Sequence, residues 1–159
     1  MAFLLWIQDT SLSTWLRESD WALFALLIVH TMGMGLLTGV SIVVALRVYG
    51  VAKQLPLPQI SRFAPVMLCG LITAIVSGVF LVVSYPAKAL TNPLFYIKLL
   101  VIAAAVVTTR RLLAKAVANT DDAISGTGKS AALMSIALWA LGIAAGKFLA
   151  YTNTMLLVY

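Results

Sequence analysis

The sequence predicts an all-α polytopic membrane protein, a four-transmembrane-helix bundle preceded by a short interfacial helix. Of its 159 residues, 62% are hydrophobic and only 10% are charged, whereas soluble domains carry about a quarter of their residues as charged side chains. The apolar residues are gathered into four runs, each near the roughly 20 residues that a helix needs to cross a bilayer. Because backbone groups in lipid must bond within their own segment, these runs are predicted to be helices.

The four predicted spans form one membrane domain over residues 1–159. Arg47 closes the first run, Arg62 precedes the second, Pro86 stops it, and Arg110 closes the third. The fourth begins after a polar, Gly- and Ser-rich segment that is predicted to be a loop over residues 116–130. These limits predict spans over residues 21–46, 63–85, 93–109 and 131–151.

The segment before the first span is predicted to be an interfacial helix over residues 11–20. It places Trp15, Leu16 and Trp21 beside Arg17, and tryptophan favours the depth of the lipid head groups. The preceding MAFLLWIQDT lacks a basic leader and has a short apolar part, so we do not expect a cleaved signal peptide.

Basic residues predict the orientation, because cytoplasmic loops are enriched in lysine and arginine. The 1–2 and 3–4 connections carry most of the 11 basic residues, so they are predicted to be cytoplasmic and both termini to lie outside. The residues that carry this prediction are Arg47, Lys53, Arg62, Arg110, Arg111, Lys115 and Lys129.

The net charge of +6 does not indicate nucleic-acid binding, because the basic residues lie between apolar runs without an aromatic–basic patch. They are better explained as topology determinants and as contacts to anionic lipid. The segment GTGKS resembles the end of a phosphate-binding loop, but Ala123 stands where that motif needs its first glycine, and no strand precedes it. We therefore expect neither nucleic acid nor nucleotide as a partner, and we expect the lipid bilayer.

His30 is the only histidine and lies within the first predicted span. Polar groups inside a bilayer are costly, so each needs an explanation. The imidazole could bond to a neighbouring hydroxyl or carbonyl, or it could be an axial ligand of haem iron. In the second case Gly33, one turn away, would leave room for a flat ring. One histidine cannot build a zinc or copper site unaided.

Lys98 and Lys147 are the other two charged candidates inside the spans. At helical rise both lie at nearly the depth of His30, once Lys98 snorkels by about its own length. No acidic residue lies inside any span, so lipid phosphate, outer water or haem propionates must compensate the charges. Lys147 is the natural propionate contact, and Lys98 could be that or a second axial ligand. Met34 and Met67 are weaker alternatives as iron ligands.

Several segments together resemble an uncharacterised bacterial family of four-helix membrane proteins. They are W-x8-H-x4-G from Trp21, ALRVYG at the end of the first span, NPLFYIKLL at the start of the third, and AAGKFLAY at the end of the fourth. The resemblance covers nearly the whole chain. It implies a bacterial cytoplasmic (inner) membrane, with both termini on the periplasmic side once the orientation above is applied.

Two further families are more distantly similar in layout. HemJ-type protoporphyrinogen oxidase holds haem b with a histidine of helix 1 and a lysine of helix 3, and this resemblance implies that His30 and Lys98 bind the metal. That family's second helix 1 histidine has no counterpart in VALRVYG. The CopD-like membrane domain implies copper handling, for which the available side chains are Met32, Met34, Met67 and Cys69.

The leading hypothesis is a haem b-binding membrane subunit, active in electron transfer or anchoring within a larger membrane complex. Its cofactor site would comprise His30, Lys98, Lys147 and Gly33, and its partners would be other membrane subunits or a second copy of the chain. The alternative is a cofactor-free structural or assembly subunit that packs through small residues spaced by four, as at Gly70, Ala74 and Gly78. A further alternative is a HemJ-like porphyrinogen oxidase.

Overall fold

The computed structural model describes residues 2–51, 54–118 and 126–155, which are helical and contain no strand. The all-α class is therefore confirmed. A 3₁₀ segment, Leu57–Phe63, precedes α4. The helices are α1 Ala2–Gln8, α2 Ser11–Glu18, α3 Ala22–Tyr49, α4 Ala64–Ser84, α5 Pro86–Leu90, α6 Pro93–Val117 and α7 Gly126–Met155.

Three segments of the described chain are long and apolar enough to cross a membrane: Ala22–Tyr49, Gln59–Ser84 and Gly126–Leu149. Only 17% of the apolar window of the first and 22% of those of the other two are buried inside the protein. The apolar side chains thus point mostly outward, as in a membrane protein whose surface lipid covers. Helix α6, which coincides with the predicted third span, is not among these three segments.

The observed helices differ from the predicted spans mainly in α6 and α7. Helices α3 and α4 end within three residues of the predicted limits, but α6 continues to Val117 and α7 begins at Gly126. The predicted loop over 116–130 was therefore too long at both ends, and its residues 119–125 lie outside the described part. Arginine and lysine are good helix formers, so a basic residue that marks the edge of lipid need not end the helix.

The predicted interfacial helix is present as α2, and it is attached to the end of α4 by polar contacts. Ser13 is fully buried, and its Oγ donates to the carbonyl of Val83 at 2.8 Å. Arg17 donates to the carbonyl of Ser84 at 3.2 Å and to Ser13 Oγ at 2.6 Å. A cation beside the last carbonyls of a helix is favourable, so Arg17 stabilises both the end of α4 and the position of α2.

Helix α3 is the centre of the bundle. Its most extensive contacts are with α4, α6 packs mainly on α7, and α3 joins the two pairs by contacting α6 and α7. The α3–α4 crossing is close because Gly70 lies there: a Cβ at this position would be 2.8 Å from the backbone nitrogen of Leu37. Small residues allow such approaches in helix pairs that lack a hydrophobic drive to associate.

The hydrophobic core occupies the half of the bundle that contains the end of α3, the end of α6 and the start of α7. Trp139 is its largest fully buried side chain. Its indole nitrogen donates to Thr109 Oγ1 at 3.3 Å, and the hydroxyls of Thr109 and Ser135 lie 3.0 Å apart. This hydrogen-bonded cluster fixes α6 against α7, and the opposite half of the bundle contains a cavity.

Candidate functional site

A cavity of about 600 Å³ lies in the half of the bundle near α2 and α5. Helices α3, α4, α5, α6 and α7 all contribute to its walls, which are mainly aliphatic. Its polar side chains are His30, Tyr85, Lys88 and Lys98. An apolar cavity of about 300–1,000 Å³ with a few polar groups is typical of small-molecule and cofactor sites.

His30 reaches the cavity from α3 and is oriented by α4. Its Nδ1 lies 2.9 Å from Ser77 Oγ, and the Ser77 hydroxyl donates its own proton to the carbonyl of Thr73. A hydroxyl has one proton to donate. We assign that proton to the Thr73 carbonyl, which makes Ser77 the acceptor toward the imidazole and places the proton of the neutral ring on Nδ1. The lone pair is then on Nε2, the nitrogen that remains for a metal or a proton donor.

Gly78 makes space for the imidazole. A Cβ at this position would lie 3.3 Å from His30 Cε1, closer than an ordinary van der Waals contact. In the sequence, the spacing of Gly78 indicates only helix packing, because a sequence does not show the neighbour across a helix pair. Gly33, which was expected to leave room for a flat ring, has no free space beside it. A Cβ there would lie 2.9 Å from the backbone nitrogen of Ala74, so this space is filled by α4.

Lys98 reaches the same cavity from α6 and is half-buried. Its aliphatic part passes over Gly146 of α7, where a Cβ would lie 3.6 Å from Lys98 Cε and 3.7 Å from Nζ. The side chain thus extends along the wall of the cavity that His30 also lines. The structure therefore brings together the two residues that were predicted as metal ligands.

The other predicted site residues have different outcomes. Lys147 is exposed and is not part of the cavity wall, although Gly146 beside it is. Met34 lines the cavity, whereas Met67 is 4% exposed and belongs to the hydrophobic core. Helical rise predicts the depth of a residue along its helix, but it does not determine which way the side chain points around the helix axis.

Lys88 and Tyr85 were missed as site residues by the sequence analysis. Both line the cavity, and Lys88 Nζ lies 5.6 Å from the centroid of the Tyr85 ring. In the sequence Lys88 is a basic residue of the connection between the second and third predicted spans. The signal that could have identified it is its position two residues after Pro86, in a segment too short to leave the bundle.

The cavity therefore presents an oriented imidazole and two ammonium groups in aliphatic surroundings. Within residues 2–51, 54–118 and 126–155, no group of three or more histidine, cysteine, aspartate or glutamate side chains could hold a metal ion. The arrangement suits an apolar ligand that carries acidic groups and a metal ion, to which the His30 nitrogen could bind. No protein-family model, curated protein or solved structure matches the chain.

Proposed function

We propose that this chain is a haem b-binding membrane subunit that takes part in electron transfer or anchoring within a larger membrane complex. The observation that carries the proposal is the Ser77 contact, which gives His30 a proton on Nδ1 and a lone pair on Nε2 inside an apolar cavity. Histidine ligands of metals commonly donate their other ring N–H to a neighbour, which fixes the tautomer and the ring orientation.

The residues of the cavity fit a porphyrin. His30 would hold the iron, and Lys98 would either be a second ligand of the iron or contact a propionate. The aliphatic walls would cover the ring faces and exclude water, which is one of the means by which a protein sets the potential of a haem. When bound, the haem would supply one-electron transfer.

We further propose that α6 is the fourth span and that both termini lie on the periplasmic side of a bacterial inner membrane. Helix α6 packs on α7 and α3, both of which are apolar enough to cross a membrane. Its basic residues other than Lys98 follow the apolar stretch that ends before Arg110. The concentration of lysine and arginine in the 1–2 and 3–4 connections supports this orientation.

The second candidate function is a cofactor-free structural or assembly subunit. The specific observation in its favour is again the hydrogen bond between His30 and Ser77, because it partly satisfies the imidazole without any ligand. In this case the cavity would be filled by lipid chains or by a helix of another subunit.

Haem titration of the detergent-purified apoprotein separates the two candidates. We expect the protein to bind haem b with one site per chain or per pair of chains. The spectrum of protein-bound haem should be absent from His30→Ala. The matched control is Thr31→Ala, since Thr31 is exposed on the same helix and bonds only to the carbonyl of Leu27. Unchanged binding by His30→Ala would remove His30 as the ligand, and no binding by the unmodified protein would favour the structural subunit.

A further inference from the structure

We propose that Lys88 of α5 binds the acidic groups of the ligand, so that the ligand lies in the cavity with its carboxylate edge toward α5. For haem b these groups are the propionates, and to that extent the inference rests on the proposed function. The assignment of Lys88 itself depends only on the cavity, and it applies to any apolar ligand that carries carboxylates.

The position of α5 supports the assignment of Lys88. This short helix connects α4 to α6, contacts α1 and supplies Lys88 to the cavity wall. Lys88 is half-buried, and its ammonium lies 5.6 Å from the centroid of the Tyr85 ring, which also lines the cavity. The aromatic ring limits the directions open to the lysine, so its charge is held at the end of the cavity instead of extending freely away from it.

The distribution of charge around the cavity also supports the assignment of Lys88. No aspartate or glutamate occurs in the sequence between Asp20 and Asp121, so α3, α4, α5 and α6 have no carboxylate of their own to offer. In the part of the chain that the structure describes, neither Lys88 nor Lys98 forms an ion pair. A half-buried cation in apolar surroundings is costly unless an anion compensates it, and the cavity between the two lysines is where a ligand carboxylate would do so.

The separation between His30 and α5 also fits this assignment. On α4 the His30 ring is level with Ser77, and α5 begins just past Ser84. Ser77 and Ser84 are separated by about 10 Å along the helix axis. The His30 ring therefore lies within the cavity, with Met34 and Leu37 beyond it, and Lys88 lies at the end formed by α5, as required for an amphipathic ligand whose acidic groups are all on one edge.

These observations favour Lys88 over Lys147 as the acid-binding residue. Lys147 is exposed and absent from the cavity wall, whereas Lys88 and Lys98 are half-buried and line it. The two residues thus form a natural pair for an experiment, because the same substitution removes a charge inside the cavity in one case and outside it in the other.

The experiment is a titration of Lys88→Gln, Lys147→Gln and the unmodified protein with haem b and with its dimethyl ester, in which the propionate charges are absent. We expect Lys88→Gln to weaken haem b binding about tenfold, as for the loss of one charge-assisted hydrogen bond. The ester should bind equally to all three proteins, which also shows that the variants are folded. Lys147→Gln should leave both affinities unchanged.

Equal haem b affinity of Lys88→Gln and the unmodified protein would overturn the assignment, as would an equal loss for haem b and the ester. If the unmodified protein binds no haem, the proposed function fails, and the same variants are titrated with a long-chain fatty acid and its methyl ester. Acid binding that depends on Lys88 would then uphold the inference without the haem, and binding that is independent of Lys88, or absent, would overturn it.

Discussion

His30 Nδ1 and Ser77 Oγ lie 2.9 Å apart across the contact between α3 and α4. Because the Ser77 hydroxyl donates to the carbonyl of Thr73, the serine acts as an acceptor toward the ring. One hydrogen bond thus selects the tautomer and the orientation of the only histidine in the chain. The function that we propose depends on this pair more than on any other contact.

Ser77→Ala should therefore weaken haem binding while leaving the fold intact. Loss of a hydrogen bond that orients a metal-bound histidine typically costs about 10–100-fold in affinity, and we expect a change of that size in a haem titration. The matched control is Ser41→Ala, because Ser41 is also fully buried but bonds to the carbonyl of Leu37 in the core of α3. Equal affinities of Ser77→Ala and Ser41→Ala would show that the serine does not orient the ligand.

Gly78→Ala should disturb the imidazole directly. The added methyl group would lie 3.3 Å from His30 Cε1, so the ring must shift by a few tenths of an ångström, away from its optimum for a bound iron. We expect weaker haem binding and an altered spectrum of the oxidised protein. Gly39→Ala is the control, since a Cβ at Gly39 meets no atom within 4 Å, and a spectrum identical to that of Gly39→Ala would contradict the prediction.

Gly70→Ala should destabilise the bundle through the close crossing of α3 and α4. The new Cβ would lie 2.8 Å from the Leu37 nitrogen and 2.9 Å from the Gly33 carbonyl oxygen, both of which are backbone atoms that cannot move alone. Overpacking of this kind costs about 1–3 kcal/mol. Thermal unfolding in detergent would measure this loss of stability, with Gly39→Ala again as the control. If Gly70→Ala were as stable as Gly39→Ala, α3 and α4 could move apart at this crossing without a cost in stability.

Much of the helical layout could be predicted from hydropathy, because lipid imposes long apolar segments. Helices α3 and α4 therefore ended close to the predicted limits, whereas α6 passed beyond Arg110 and Arg111, since basic residues limit the apolar stretch but not the helix. Helix α5 was missed because its five residues, Pro86–Leu90, are too few to carry a periodic pattern.

The candidate site could be predicted only in part. The approach of His30 and Lys98 to one cavity follows from helical rise, because depth can be counted along a sequence. Ser77 and Lys88 could not be identified in this way, since their roles depend on which helices are neighbours and which way each is rotated. Lys147 illustrates the same point, because it directly follows Gly146 of the cavity wall but is itself exposed and not part of that wall.

The proposed topology predicts that the end of the chain lies outside the cytoplasm. An enzyme reporter that is active only in the periplasm, fused after Tyr159, should be active, and the same reporter inserted between α3 and α4 should be inactive. The physical reason is the concentration of basic residues in the 1–2 and 3–4 connections. The reverse pattern would invert the orientation. Activity at both positions would mean that an even number of the helices α4, α6 and α7 cross, which would contradict the proposal that α6 is the fourth span.

The most direct test of the central claim is a visible absorption spectrum of the detergent-purified protein, first air-oxidised and then reduced with dithionite. We predict a Soret band and, on reduction, a sharp α band at the position typical of haem b, both absent from His30→Ala. A featureless spectrum from protein produced with an adequate haem supply would contradict the haem proposal and favour the cofactor-free subunit.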